Sequence, residues 1–435
     1  MKFFTVLFLF GFSSILIGQS YTSYFTGNTI DIVSAPQGGI CMMGGASEHD
    51  EAMKWFLQRC SGGDVLVLRA SGSNGYNNYL YNQLGVDVNS VETIVCNSAS
   101  ASYESYVMQK IQQAEGIWFA GGDQWDYVSY WRNTPVDSLI NLAIADRNIV
   151  IGGTSAGMAI LGGFYFTAKN GTVTSSAALS NPYTSRVTVD SASFIHAPFL
   201  EDVITDTHYD NPDRKGRHVT FLARILKDYG IKAKGIACDE YTAVCIGPDG
   251  IAIVYGDYPS NDDNAYFIQT NCELDSVTPE QCTSGQPLIW DLNESALKVY
   301  AVKGTFQGSN TFDLNTWTNG TGGEWQNWYV ENGTFHSEET DRIHCQTSAL
   351  QPDEASLDLF TIFPMPFHSG DLTIIYPTLK PNSISIFDLH GSLKSYKSNL
   401  PPDQMSITDL HLCPGVYFVS LQEGNYILTK KLIVY

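Results

Sequence analysis

With 435 residues, the chain exceeds one average domain, and two or three are expected. Its 24 basic against 45 acidic side chains give a net charge of −21, which excludes a phosphate-rich partner such as nucleic acid. The nine cysteines include no C-x-x-C pair, so no zinc ribbon is indicated, and no metal or other cofactor is expected.

Residues 1–20 read as a signal peptide: Lys2 is the positive region, residues 3–10 and 15–17 are apolar, and Gly18-Gln19-Ser20 offers small residues for cleavage. The competing reading, an uncleaved anchor, is weakened by Gly11, Ser13 and Ser14, which interrupt the apolar run. From Gly38 to Gly256 short apolar runs (64–68, 116–120, 148–151, 235–238) alternate with segments that can present one apolar helical face (51–60, 104–114, 220–226). That alternation predicts an α/β layered fold around a mostly parallel sheet. Residues 251–255, 266–269 and 297–303 then read as strands, antiparallel ones at the sheet's edge, closing a domain at 21–304. Residues 305–356, rich in Gly, Asn, Thr and Trp, show no clear period and read as a connecting region that either packs on that domain or only spaces it. From 357 to 435 the runs 383–388, 415–421 and 426–434, separated by Gly-containing turns, predict a small all-β sandwich. Export permits disulfides, with Cys272–Cys282 the expected pair.

The stretch IVIGGTSAGMAI (149–160) holds the main chemical signal. An apolar run stops at Gly152-Gly153, and an Ala- and Met-rich helix start follows Ser155. Gly153-Thr154-Ser155-Ala156-Gly157 fits G-x-S-x-G, a turn on which flanking glycines relieve crowding around an exposed nucleophilic serine. A tight turn with an incidental serine fits the pentapeptide as well. A nucleophile also needs a base, an orienting acid and oxyanion donors. Residues 120–124 (AGGDQ) follow the 116–119 strand, so amides of Gly121-Gly122 can open at the same edge as Ser155, and the Gly122 and Ala156 N–H groups could hold an oxyanion. DTHYDNPDRKGR (206–217) places His208 among charges before a helix. GIACDEYTA (235–243) puts Asp239 and Glu240 at a strand end, where adjacent residues face opposite ways and only one can serve His208.

GGTSAG, the strand ending in AGGDQ, DxH running into RxGR, and GIACDEYTA, in that order, resemble the serine peptidase family of cyanophycinase and dipeptidase E. The resemblance spans roughly residues 38–255 and implies a three-layer fold related to class I glutamine amidotransferases, with serine in place of their cysteine. Carried over residue by residue, it makes Ser155 the nucleophile, His208 the base and Glu240 the acid. Gly121, Gly122 and Ala156 would form the oxyanion hole, and Asp123, Gln124, Thr207, Arg214 and Arg217 would line the substrate site. Cyanophycinases usually read DQH followed by two closely spaced arginines before GR. Here Thr207 replaces the glutamine and Pro212 the first arginine, at positions that grip the β-aspartyl-arginine unit, so the chemistry is expected to persist with a different substrate. Residues 357–435 resemble the sorting domain of type IX secretion cargo, through FPMPF (363–367), IFD (386–388), PGVY (414–417) and KKLIV (430–434). A carbohydrate-binding or adhesive module is the alternative there.

The combined expectation is a secreted serine exopeptidase, exported through the periplasm. Its partners would be an aspartyl or isoaspartyl peptide substrate and, through the C-terminal domain, the secretion machinery. A dimer is compatible with this reading. The rivals are a serine esterase of the α/β-hydrolase class, which would run Ser, acid, His rather than Ser155, His208, Glu240, and a catalytically inactive surface-binding protein on the same scaffold.

Overall fold

The computed structural model describes residues 19–190, 194–345, 360–364, 367 and 370–434, apart from 377–378, 389–392, 399, 414 and 424–425. The expected signal peptide, except its last two residues, lies outside the described residues, as do residues 390–391, 414 and 424–425 of the Gly-containing turns expected at 390–391, 414–415 and 423–425. The chain forms two compact units, 1–345 and 346–435.

In the first unit the strands are β1 (Tyr21–Gly27), β2 (Ile40–Met43), β3 (Asp64–Arg69), β4 (Ser90–Cys96), β5 (Gly116–Phe119) and β6 (Val150–Thr154). They continue with β7 (Tyr165–Phe166), β8 (Val189–Asp190), β9 (Val203–Asp206), β10 (Lys234–Cys238), β11 (Ala243–Ile246) and β12 (Ile251–Tyr258). The last are β13 (Asn264–Thr270), β14 (Leu297–Lys303), β15 (Asn310–Asp313), β16 (Gly320–Thr321), β17 (Gly323–Glu331) and β18 (Thr334–Glu339). The main sheet runs β1-β4-β3-β5-β6-β2-β11-β12-β15-β16, and its five central strands, β4 to β2, are parallel. Those strands are nearly continuous apolar runs because helices cover both faces. The helix Asp50–Arg59 packs on one face through Ala52, Met53, Phe56 and Leu57, whose helical spacing puts them on one stripe. On the other face Val107 and Ile111 of the helix Ser105–Gln113 join Val136 and Ile140 of Pro135–Arg147 against Ile117, Phe119 and Ile151. This makes the three layers expected from the sequence, and it aligns the carboxyl ends of β2, β3, β5 and β6 along one edge, where loops can form a site.

A second sheet, β18-β17-β14-β13-β10-β9, is antiparallel except for β9 with β10. The helix Lys215–Tyr229, closed by Gly230 at φ +70°, connects β9 to β10. The predicted connecting region is built into this unit over its described part: β15 pairs with β12, β17 with β14, and Trp317, Trp325 and Trp328 are buried. The expected Cys272–Cys282 disulfide is corrected as well. Cys272 bonds Cys345, 73 residues away, and Cys282 is a buried thiol. Sequence proximity misleads here because β17 and β18 fold back beside β14, so the segment after β18 returns to Glu273, whose carboxylate accepts from His344 N at 2.7 Å.

In the second unit β19 (Thr361–Phe363), β20 (Gly370–Ile375) and β23 (Gln404–Leu410) form one antiparallel sheet. Strands β21 (Ser383–Asp388), β22 (Leu393–Ser398), β24 (Gly415–Glu423) and β25 (Tyr426–Val434) form another. Ile362, Leu372, Ile374, Ile384, Ile386, Val419 and Leu432 share one buried core, so the unit is an all-β sandwich.

Candidate active site

Ser155 leaves β6 at φ +51° and ψ −116°, outside the usual regions for a residue with a Cβ, and the short helix Ala156–Ala159 begins immediately after it. The turn is tight enough to require its glycines. A Cβ on Gly153 would lie 2.5 Å from the Gly157 carbonyl carbon, and one on Gly157 would lie 2.0 Å from the Phe119 oxygen. Ser155 N–H donates to the Met43 carbonyl at 3.1 Å, which fastens the serine to β2. Its hydroxyl points away, 2.8 Å from His208 Nε2.

His208 follows β9, also with positive φ (+48°), and its N–H donates to the Gly44 carbonyl at 2.7 Å. His208 Nδ1 lies 2.6 Å from Glu240 Oε1. That hydrogen bond is the main reason the Glu240 carboxyl is held below the ordinary carboxylate range. Asp210 accepts from Glu240 N–H at 2.9 Å, and Asn211 donates to the other Glu240 oxygen at 3.3 Å. The neighbour Asp239 turns inward: one oxygen accepts from Asn264 N and Nδ2, both at 3.1 Å, and the other is buried with no partner among the described residues. Burial pushes its carboxyl up to about 7.

The loop after β5 lies beside the serine, since a Cβ on Gly121 would be 3.5 Å from Ser155 Cβ. Tyr127 OH fixes this loop by donating to the carbonyls of Ala120 (2.8 Å) and Gly121 (3.1 Å), and Gly122 has room for no side chain against the same hydroxyl. Ala156 opens its helix, so its N–H has no partner one turn back.

The expected substrate contacts divide. Asp123 caps the helix Gln124–Trp131 by accepting from Trp125 N–H at 2.8 Å, and Gln124 donates to the Phe166 carbonyl at 2.6 Å. Thr207 is 2% exposed and lines no open surface. Arg217 is corrected from substrate ligand to internal strut: it is 2% exposed and forks onto Asp206 through Nε–Oδ2 (2.8 Å) and Nη2–Oδ1 (2.5 Å). Its other nitrogen reaches Thr172 Oγ1 at 3.1 Å. A buried guanidinium requires such a partner, and Asp206 at the end of β9 supplies it. Arg214, at the N-cap of the next helix, is partly buried, and its guanidinium makes no hydrogen bond or ion pair among the described residues; burial, with Arg217 nearby, lowers its pKa to about 10.

Sequence reasoning missed Gly44 and Gly45. A Cβ on Gly44 would sit 1.9 Å from the Asp239 oxygen, and one on Gly45, at φ +116°, would sit 2.4 Å from the His208 ring. The signal was present as a Gly-Gly pair directly after the four-residue apolar run Ile40–Met43.

Residues 73–254 match peptidase family S51, and residues 361–435 match the secretion system C-terminal sorting domain. The cyanophycinase of Synechococcus elongatus is 26% identical over 231 residues, covering 51% of this chain and 67% of that one. The cyanophycinase of Trichormus variabilis is 27% identical over 177 residues, covering 41% and 53%. Among solved structures, a peptidase from an acI-B1 Actinobacterium aligns with TM-score 0.40 and 16% identity over 53% of this chain and 91% of that one. A putative peptidase E protein from Listeria monocytogenes aligns with TM-score 0.34 and 16% identity over 51% and 98%. The chain thus carries a domain of peptidase family S51, of the serine type, together with a C-terminal secretion sorting domain.

Proposed function

We propose that this exported peptidase is a serine exopeptidase that cleaves aspartyl or isoaspartyl bonds in short peptides through Ser155, His208 and Glu240. The observation that carries the reading is the continuous chain from Ser155 Oγ to His208 Nε2 at 2.8 Å and from His208 Nδ1 to Glu240 Oε1 at 2.6 Å. Ser155 Oγ attacks the scissile carbonyl carbon while its proton passes to His208 Nε2. Glu240 holds the Nδ1 proton and balances the imidazolium charge. The carbonyl oxygen becomes an oxyanion, for which the Gly122 and Ala156 N–H groups are the proposed donors, with Gly121 shaping the loop. His208 then gives its proton to the departing amine, leaving an acyl-serine. Water, deprotonated by His208, releases the acid product and restores the hydroxyl.

Arg214 supports an acidic substrate. It is a partly desolvated guanidinium with no partner among the described residues, six residues from His208, and such a group favours a carboxylate, which it can bind in two-pronged fashion. Thr207 and Pro212 stand where cyanophycinases carry other residues, so cyanophycin itself is expected to be a poor substrate. The order Ser, His, acid separates this arrangement from an α/β-hydrolase esterase, and an assembled triad disfavours an inactive binding scaffold. Export through the periplasm by the sorting domain completes the reading. The test is a serine-reactive phosphonate combined with a panel of α- and β-aspartyl dipeptides. An adduct at Ser155 with turnover of either class supports the proposal, absence of an adduct overturns the catalytic half, and an adduct with turnover of cyanophycin alone overturns the substrate half.

A further inference from the structure

We infer that the exported protein carries a second disulfide, Cys41–Cys245, beneath the candidate site. The two residues are register partners on the antiparallel strands β2 and β11, both fully buried, with their sulfurs 3.6 Å apart. Gly44 N–H donates to the Thr242 carbonyl at 2.9 Å, which makes 44/242 a hydrogen-bonded position of this ladder. Positions alternate along an antiparallel pair, so 41/245, three steps away, is a non-hydrogen-bonded position. There the Cα atoms approach to about 4.5 Å and the side chains lie closest, within the span a disulfide bridges.

The bond forms when each thiol loses its proton and the pair gives two electrons to a protein disulfide of the thiol–disulfide oxidoreductase class, which leaves as a dithiol. The expected signal peptide takes the chain out of the cytosol and the sorting domain sends it onward, through compartments where such oxidants act. Formation belongs to the folding stage, because burial in the finished core pushes the Cys245 thiol well up and leaves little thiolate to react. Cys238 is the competing partner: it is buried close enough for its thiol to feel Cys41 and Cys245. It sits on β10 of the other sheet, however, and no ladder register aligns it with either.

The bond would fasten the part of β2 that seats the site. Just beyond Cys41, the carbonyls of Met43, Gly44 and Gly45 accept from the N–H groups of Ser155, His208 and Tyr241. A cross-link two residues upstream, spanning about 200 residues of chain, constrains the unfolded state more than a short loop does. The test is alkylation of the secreted protein, denatured without reductant, followed by peptide mapping. Seven thiols would be free if Cys272–Cys345 were the only bond, and the inference expects five, with a cross-linked peptide joining Cys41 to Cys245. The Cys41→Ala/Cys245→Ala double variant should lose more thermal stability relative to wild type when both are secreted than when both are produced in a reducing cytosol, where neither Cys41–Cys245 nor Cys272–Cys345 forms. Alkylation of both cysteines, or a cross-link from either one to Cys238, overturns the inference.

Discussion

At the scale of single residues, the candidate triad is a unit whose members should fail together. Ser155→Ala and His208→Ala should each lower kcat by several orders of magnitude while the circular dichroism spectrum stays native, because neither side chain carries the core. Glu240→Gln should cost less than either, and more than Asp239→Asn, which touches Asn264 and not His208. A worse kcat for Asp239→Asn would place the acid wrongly. Asp239 has a different signature. Burial raises its folded pKa to about 7, so the stability it contributes is full below the unfolded value near 4 and is lost as pH rises through about 7. Asp239→Asn removes that dependence. Its melting temperature should approach or pass that of wild type as pH goes from 4 to 8, a relative gain of at most about 4 kcal/mol. The two arginines should separate just as clearly. Arg214→Ala should raise KM for aspartyl substrates several-fold at unchanged melting temperature. Arg217→Met strands Asp206 in the core and should destabilise by about 3–5 kcal/mol, read as a lower urea midpoint. The sequence could name both arginines, and it could not say which one the fold consumes. That depends on the helix Lys215–Tyr229 turning position 217, and not 214, toward the end of β9.

At the scale of elements, legibility followed how each strand is buried. Strands β3, β5 and β6 could be read as short apolar runs because both of their faces are covered, and the parallel core with its helices followed from them. The G-x-S-x-G turn was legible for a steric reason: Gly153 and Gly157 pass too close to each other and to β5 for any other residue. The second sheet was not legible as a separate layer. β10 reads like another strand of the parallel sheet, and nothing local shows that its neighbours are β9 and β13. Residues 305–345 were hidden by their own composition. In β17 the buried Trp325 and Trp328, three residues apart, face opposite sides of the strand and join different cores, with Gln326 and Asn327 between them, so no period-2 alternation shows. The Asp206–Arg217 pair joins β9 to the helix after it, and through Thr172 it reaches the segment that follows β7. Since His208 follows Asp206 by two residues, Arg217→Lys, which keeps the charge and loses the fork, should lower kcat more than it raises KM.

At the scale of the whole molecule, the two units have separate cores, and each motif of the candidate site lies in the first. A chain ending at Cys345 should therefore keep full kcat/KM on whichever aspartyl peptide the full chain cleaves, and in the native host it should stay in the periplasm instead of reaching the surface or medium. A chain ending at Gly304, where the sequence alone placed the domain boundary, should behave differently. It would strip β15 from β12 and β17 from β14, expose Val302, Tyr300 and Phe312's former neighbours, and leave Cys272 without Cys345. Exposing even a few such side chains costs about 1.5–3 kcal/mol each, enough to exhaust the 5–15 kcal/mol by which a domain is usually stable. The shorter chain is expected to aggregate or to lose its cooperative melt, and the longer one to melt as the first unit does within the full protein, with calorimetry as the measurement. If the chain ending at Gly304 melts cooperatively with unchanged activity, residues 305–345 are a spacer after all. If the chain ending at Cys345 is inactive, the second unit takes part in the site.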